Sequence, residues 1–434
     1  MIISILTLFP DLYDQFLKTS LVRRAHERGQ VDFDVQNLFS LCAPKERIDG
    51  PTFGHGAGVL IRPDIVEKAI TGQELRHGPA FKIFFSPHGK KLDQTVLKEL
   101  YAKIMNTGHV ALLPARYEGM DARIEEEYAD AIISVGDFVL MGGDLPALVL
   151  LEGLLRLVPG IVGKQESVDS ESFSGPFVDY PSYTEPVEWK GKTVPEVIRS
   201  GNHKQLHEWR ETQAAQRTVL HHFDWLRSHP ATESQELLAQ KYIPSHYAVL
   251  LHGQVMLPNV PEGTTSVTSI DIHDIARSAA TYGVKHYFIV TPLVDQQKIV
   301  RRLLDFWQTG DGVSYNNQRH QAVDMVRLCT NLDEVIERIT ALEGKKPVVI
   351  ATSARSQDQA PVITYFDQEK IWELDRPILF LFGTGNGLAA SVMERCDFVL
   401  LPIRGFSEFN HLSVRSAAAV VFDRWLGINL KNLH

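Results

Sequence analysis

The 434-residue sequence is poor in cysteine, with three, Cys42, Cys329 and Cys396, odd in number and far apart. Such scarcity excludes a disulfide framework and offers no zinc spacing, so the expectation is a reducing, cytoplasmic setting without a structural metal. A membrane-length apolar run is also lacking. The most apolar stretch, Phe138 to Val162, carries Asp144, Glu152 and Arg156, and charge at mid-bilayer is costly, so a buried core is expected and no membrane partner. The opening MIISILTLFPDLYDQF has no basic start and soon meets Asp11 and Asp14; it reads as a first strand and not a signal peptide. Positive charge is short, at a net −9, so contact with nucleic acid requires a local basic patch. The common phosphate loops are missing as well, because SPHGKKLD has neither the glycine spacing nor a hydroxyl after its lysines.

What is present is the composition of a soluble globular protein, 44% hydrophobic and 22% charged, long enough for about three domains. From Ile2 to Gly163, apolar runs (IISILTLF, FKIFFSP, HVALLPA, AIISV, DFVLM) alternate with helical stretches such as DQTVLKELYAKIM. Alternation of this kind predicts an α/β fold with a mainly parallel sheet over residues 1–163. A polar, Ser-rich linker is expected over 164–176, a small helical domain over 177–240, and a second α/β domain over 243–434, with strands in YAVLLHGQV, HYFIVTP, PVVIATS, PILFLF and DFVLLPI. The two α/β parts echo each other. RYEGMDARIEEEYADAIISVGDF and GTGNGLAASVMERCDFVLLPIRGF each pass from a Gly-rich turn through a spacer to an Asp that opens an apolar strand. Related tandem domains are the expectation.

The stretch SVGDFVLMGGDLPA, Ser134 to Ala147, pairs two glycines just before the apolar run LVLLEGLLRLV. Glycine removes the Cβ that would keep a flat, polar ligand off the main chain, and a tight strand-to-helix turn would use the same pair. Alone, the pair does not decide between the two uses. PTFGHGAGVLIRPDIV, SPHGKKLDQ, LLPARYEGMDARI, the GG stretch and SGNHKQLHEWR follow in this order. Together they make residues 1 to about 235 resemble the bacterial tRNA (guanine-N1)-methyltransferase family, of the knotted SPOUT class.

The resemblance implies a trefoil-knotted domain whose loops hold S-adenosylmethionine. Carried over residue by residue, the donor pocket comprises Phe84, Phe85, Ser86 and Pro87, the turn Ala115, Arg116, Tyr117, Glu118 and Gly119, and Val135, Gly136, Asp137, Phe138, Val139, Leu140, Gly142, Gly143 and Pro146. Ala115 stands where the family usually has Gly, and Phe138 replaces a common Tyr. Guanine N1 carries a proton, so methylating it needs a base to take that proton and a cation to steady charge growing on O6. The family arginine falls on Arg156. Its catalytic carboxylate falls by strict register on Glu171 in QESVDSESF, while Asp169, two residues earlier, could also serve. No metal is demanded, although the resemblance implies that Mg2+ can assist. His55 has only glycines at ligand spacing and reads as a loop histidine.

The resemblance further implies a homodimer, each active site built from two subunits, acting on guanosine 37 of tRNA beside the anticodon. Arg199, Lys204, Arg210, Arg217 and Arg227 outnumber Glu208, Glu211 and Asp224 over Arg199 to Ser228, and by resemblance grip the anticodon stem. Trp209, Phe223 and Trp225 either stack on bases or form the helical domain's core, with core the preferred reading. Residues 243–434 also resemble SPOUT proteins. DIARSAATYGVKHYFIVTP resembles the first motif of the ribose-methylating branch, with Arg277 at its arginine; LFGTGNGLA with DFVLLPIRGF resembles the second and NHLSVRSAAAVVF the third, with Ser413 where Asn is usual. Two alternatives therefore stand beside guanosine methylation: ribose 2′-O-methylation through this domain, and a non-catalytic, donor-sensing RNA-binding protein.

Overall fold

Strands buried on both faces read as unbroken apolar runs, and the first such run, Ile2–Thr7 (β1), lies inside a parallel sheet. The computed structural model describes residues 1–54, 56–162, 171–355 and 360–430. The chain divides into two units, Met1–Ser174 and Gly175–His434. In the first, β1 is joined by β2 (Asp32–Asn37), β3 (Phe81–Lys91), β4 (His109–Leu113) and β5 (Ala131–Ser134). They pair in the order β2-β1-β4-β3-β5, all parallel.

Helix α1 (Gln94–Thr107) is stopped at both ends by its own residues. The Asp93 carboxylate accepts from Val96 N at 2.8 Å, and Gly108 takes the left-handed conformation past the last turn. After α2 (Ala122–Tyr128) and β5 comes α3 (Asp144–Leu157), which buries Leu150, Leu151, Leu154 and Leu155 against the sheet. The segment DFVLM, read from sequence as a strand, is a loop in which Val139 is 86% and Met141 90% exposed. No strand among the described residues pairs with it, so its apolar character has another cause than a sheet interior.

In the second unit, α4 (His203–His221) and α5 (Phe223–Ser228) share a hydrophobic cluster with the α/β part that follows. Phe223 meets Trp372 edge-on at 4.7 Å between ring centres. That α/β part contains β6 (His246–Leu251), α6 (Ser269–Thr281), β7 (His286–Val290), β8 (Val326–Cys329) and β9 (Val348–Thr352). It continues with β10 (Val362–Ile363), β11 (Ile378–Gly383), β12 (Phe398–Leu400) and α7 (Val414–Leu426). The parallel sheet runs β8-β7-β6-β11-β9-β12-β10. The α/β expectation is borne out in both units.

Without its edge strands β8 and β10, the second sheet has the strand order of the first. The echo in sequence has a structural counterpart in the aspartates that open β5 and β12. Asp130 accepts from Lys82 N at 2.8 Å and Asp397 from Val349 N at 2.8 Å, while each backbone N–H returns a bond to the same residue's carbonyl. The carboxylate thus completes the ladder where the next strand begins. Both side chains are partly exposed. Asp130→Ala and Asp397→Ala should therefore each cost about 1 kcal/mol, read as a fall in urea midpoint. No change in either midpoint would show that water replaces the bond without loss.

Candidate active site

The carboxyl ends of β3, β4 and β5 and the loops that follow enclose a cavity of about 440 Å³. This is where open α/β sheets place ligands, and the volume suits a small organic molecule. Phe85, Ser86, Pro87, Ala115, Tyr117, Glu118, Gly119, Val135, Gly136, Phe138, Val139, Leu140, Gly142, Gly143 and Pro146 line it. These are residues assigned to the donor pocket from sequence. The apolar character of DFVLM now has its explanation, since Phe138, Val139 and Leu140 form one wall.

Three of the assigned residues do not line the cavity. Phe84 is buried in the core beneath it, and Asp137 pairs at the surface with Lys91. Arg116 turns to Asp144, donating from Nε to Oδ2 at 2.7 Å. Asp144 is 0% exposed, and its other oxygen accepts from Thr7 Oγ1 at 2.6 Å and Tyr13 Oη at 3.0 Å. A carboxylate so placed at the first turn of α3 is held by three donors and the helix dipole. Burial, then the neighbouring Asp144 charge, push the Tyr13 hydroxyl well above its ordinary pKa.

The glycine pair packs against the Ala115–Gly119 turn as well as lining the cavity. Arg116 and Gly142 form an isolated antiparallel bridge, and Gly143 N donates to Ala115 O at 2.7 Å. A Cβ on Gly143 would lie 2.8 Å from Ala115 N and Pro114 Cα. Two loops therefore cross at main-chain distance, and their crossing forms part of the cavity wall. At the tip of the turn, Tyr117 has a left-handed φ of 59°, a strained backbone for a non-glycine residue, with its ring half-exposed.

His88, Met120, Ala122, Glu125, Ile133 and Ser134 also line the cavity and were not singled out from sequence. Glu125 sits on α2 within a run of three glutamates, where nothing in the pattern separates it from its solvated neighbours. Burial raises its carboxyl above the usual range, opposed by His88, whose Nε2 lies 3.6 Å away. His88 Nδ1 in turn lies 2.6 Å from Ser86 Oγ.

Arg156, in the last turn of α3, donates from Nη2 to Glu171 Oε1. Both side chains are partly exposed, and neither lines the cavity. Asp169 and His55 lie outside the described residues. In the helical stretch, Arg199, Lys204, Arg210 and Arg217 are exposed, whereas Arg227 Nη1 donates to Arg424 O at 2.8 Å. Phe223 is core, Trp225 bonds Gly175 O through Nε1 at 3.0 Å, and Trp209 is partly buried near Tyr183.

The second sheet carries a corresponding cavity of about 630 Å³, bounded by residues of LFGTGNGLA, DFVLLPIRGF and NHLSVRSAAAVVF. Ser413 is the N-cap of α7, accepting from Ser416 N at 3.3 Å. Serine suits that position, as the usual Asn would, so the departure from Asn keeps the cap. Arg277 is exposed and does not line this cavity. Arg415 does, donating to Asp271 at 2.8 Å. No helix among the described residues is long and apolar enough to cross a membrane.

Comparison with known proteins finds a match for each half of the chain. Residues 1–228 match the family model described as tRNA (Guanine-1)-methyltransferase, and residues 245–427 match that of a SAM-dependent RNA methyltransferase. A tRNA (guanine-N(1)-)-methyltransferase of Nitratidesulfovibrio vulgaris is 38% identical over 98% of this chain and 99% of its own length. One from Oleidesulfovibrio alaskensis is 36% identical over the same shares. One from Rhodospirillum rubrum is 39% identical over 51% of this chain and 92% of its own. A crystal structure of tRNA (m1G37) methyltransferase from Aquifex aeolicus aligns over 48% of this chain and 87% of that one, at 30% identity and a TM-score of 0.41. By its first-half family match and its full-length relatives alike, the chain belongs to the tRNA (guanine-1)-methyltransferase family.

Proposed function

We propose that the chain transfers a methyl group from S-adenosylmethionine to N1 of guanosine 37 in tRNA, beside the anticodon. The observation that carries this reading is the pairing of Arg156 with Glu171, a cation and a carboxylate brought together. S-adenosylmethionine supplies an electrophilic methyl group. Glu171 takes the proton from N1 as the N1–methyl bond forms and the sulfonium–methyl bond breaks, while Arg156 steadies charge on O6. The first cavity fits the donor, with apolar walls at Phe85, Val135 and Leu140 and main chain from the glycine loops for polar groups. Glu118 and Glu125 line the same cavity and offer the oxygen ligands that Mg2+ accepts, so its assistance belongs to the proposal without a step assigned to it.

Arg156 and Glu171 lie away from the cavity lining of a single chain, which supports a homodimer in which one subunit's pair faces its partner's donor. Leu145 and Val149, exposed on α3 beside the exposed loop 138–141, supply an apolar face for that contact. The further parts of this reading are a trefoil knot in the first α/β domain, a donor site in residues 243–434, and a cytoplasmic setting. Across the linker at 164–176, residues 177–240 hold the anticodon stem through Lys204, Arg210 and Arg217. Mass-spectrometric mapping of nucleosides after incubation with unmodified tRNA and S-adenosylmethionine should show 1-methylguanosine at position 37. A 2′-O-methylated ribose as sole product would move the reaction to the second unit, and an unmodified tRNA would favour a donor-sensing role.

A further inference from the structure

The second cavity contains a buried histidine that neither the guanosine chemistry nor the three motifs account for. His252 follows directly on β6, lines the cavity and is 0% exposed. A chain of hydrogen bonds assigns its proton. Thr384 Oγ1 donates to Leu251 O at 2.9 Å, which uses its only hydrogen, since a carbonyl can only accept. Thr384 must therefore accept from Thr265 Oγ1, 2.5 Å away, so Thr265 in turn accepts from His252 Nδ1 at 3.0 Å. The ring is neutral with its hydrogen on Nδ1, and Nε2 is left as a bare lone pair. Burial pushes the imidazole pKa down to about 4, opposed by the Asp271 carboxylate, so neutrality persists across the physiological range.

Nε2 has no hydrogen-bond partner among the described residues. Leaving a buried acceptor unmatched costs roughly 1–3 kcal/mol, and such atoms in a well-packed protein call for an explanation. The first unit has no equivalent, because the residue that follows β1 there is the buried, apolar Leu8. His252 lines the cavity with its ring covered, so a molecule seated there meets Nε2 once the covering wall gives way, and the face of a macromolecule does not.

We propose that His252 Nε2 is a binding group of the second cavity, accepting a hydrogen bond from an O–H or N–H of an S-adenosyl ligand. The inference rests on reading the second unit as a donor-binding domain. Its effect is selection: a neutral acceptor rewards a ligand that presents a hydrogen there and rejects one that presents a lone pair.

The test uses the full-length protein with 15N-labelled histidine, S-adenosylhomocysteine as probe, and His252→Gln to identify the resonance. Two-bond correlations should show the Nδ1–H tautomer in the free protein. Saturation with the probe should then shift Nε2 in the direction of an accepted hydrogen bond while Nδ1 keeps its proton. In calorimetry, wild type should bind two probe molecules per chain, and His252→Phe should weaken one of the two events roughly tenfold. Two bound molecules with an unmoved His252 resonance would overturn the inference and leave the domain reading standing. A single bound molecule per chain, with no response from second-unit resonances, would overturn the domain reading itself. A free-protein Nε2–H tautomer would refute the proton assignment.

Discussion

Arg156→Ala should leave S-adenosylmethionine affinity nearly unchanged and lower turnover by roughly 10²-fold or more, the scale of losing one charge stabiliser in the transition state. Affinity should persist because Arg156 does not line the first cavity, so no donor contact in the single chain is lost. Turnover should fall because the charge arriving on guanine O6 would find no cation in place. Arg156→Lys should recover part of the rate at most, since a single ammonium cannot reproduce the planar fork of a guanidinium. Calorimetry for the donor and single-turnover rates for the methyl step separate the two effects. Lost affinity with an unchanged rate would remove Arg156 from this role. If the site is shared between subunits, mixing Arg156→Ala with a donor-site variant should restore activity that neither has alone.

Glu171→Gln should likewise lose most turnover at pH 7, and Asp169→Asn should lose little. Glu171 is the carboxylate that the structure places against Arg156, and the register SESF puts it directly before the Ser-Phe pair that follows the family's catalytic acid. A base must come within about 2.6–3.2 Å of the proton it takes, or act through one water, so a shift of two residues is not interchangeable. Raising the pH should partly rescue Glu171→Gln, because guanine itself then loses the N1 proton and no base is needed. Rates for both variants across pH decide the matter. The opposite ranking would transfer the role to Asp169.

How much could be read in advance follows from what each segment buries. The central strands IISILT, HVALL and ILFLF are covered on both faces and so read as unbroken apolar runs. Asp32–Asn37 does not, because it is an edge strand of alternating polar residues that pairs on one side only. DFVLM failed in the other direction: its apolar residues face a cavity and solvent, which hydropathy cannot distinguish from a sheet interior. Most of the first cavity's lining coincides with residues singled out from sequence because they lie in contiguous loop motifs. Arg116 was not, since its destination is Asp144, and nothing in GGDLPA reveals that this acid is buried 28 positions away along the chain. Glu125 was hidden for the same kind of reason, its burial being set by a cavity assembled from distant segments.

The crossing of the glycine pair with the Ala115–Gly119 turn bears on how this enzyme could evade an inhibitor. A compound seated in the first cavity would rest against Gly142 and Gly143, and the usual escape is to grow a side chain into the occupied space. A Cβ on Gly143 would stand 2.8 Å from Pro114 Cα and Ala115 N, and one on Gly142 would strike Arg116 Cδ, so growth there breaks the loop crossing before it reaches the drug. Resistance would arise more readily at Phe138 and Val139, which line the same cavity and are exposed. Compounds that take their affinity from the glycine wall should therefore select resistant variants more slowly than those that lean on Phe138.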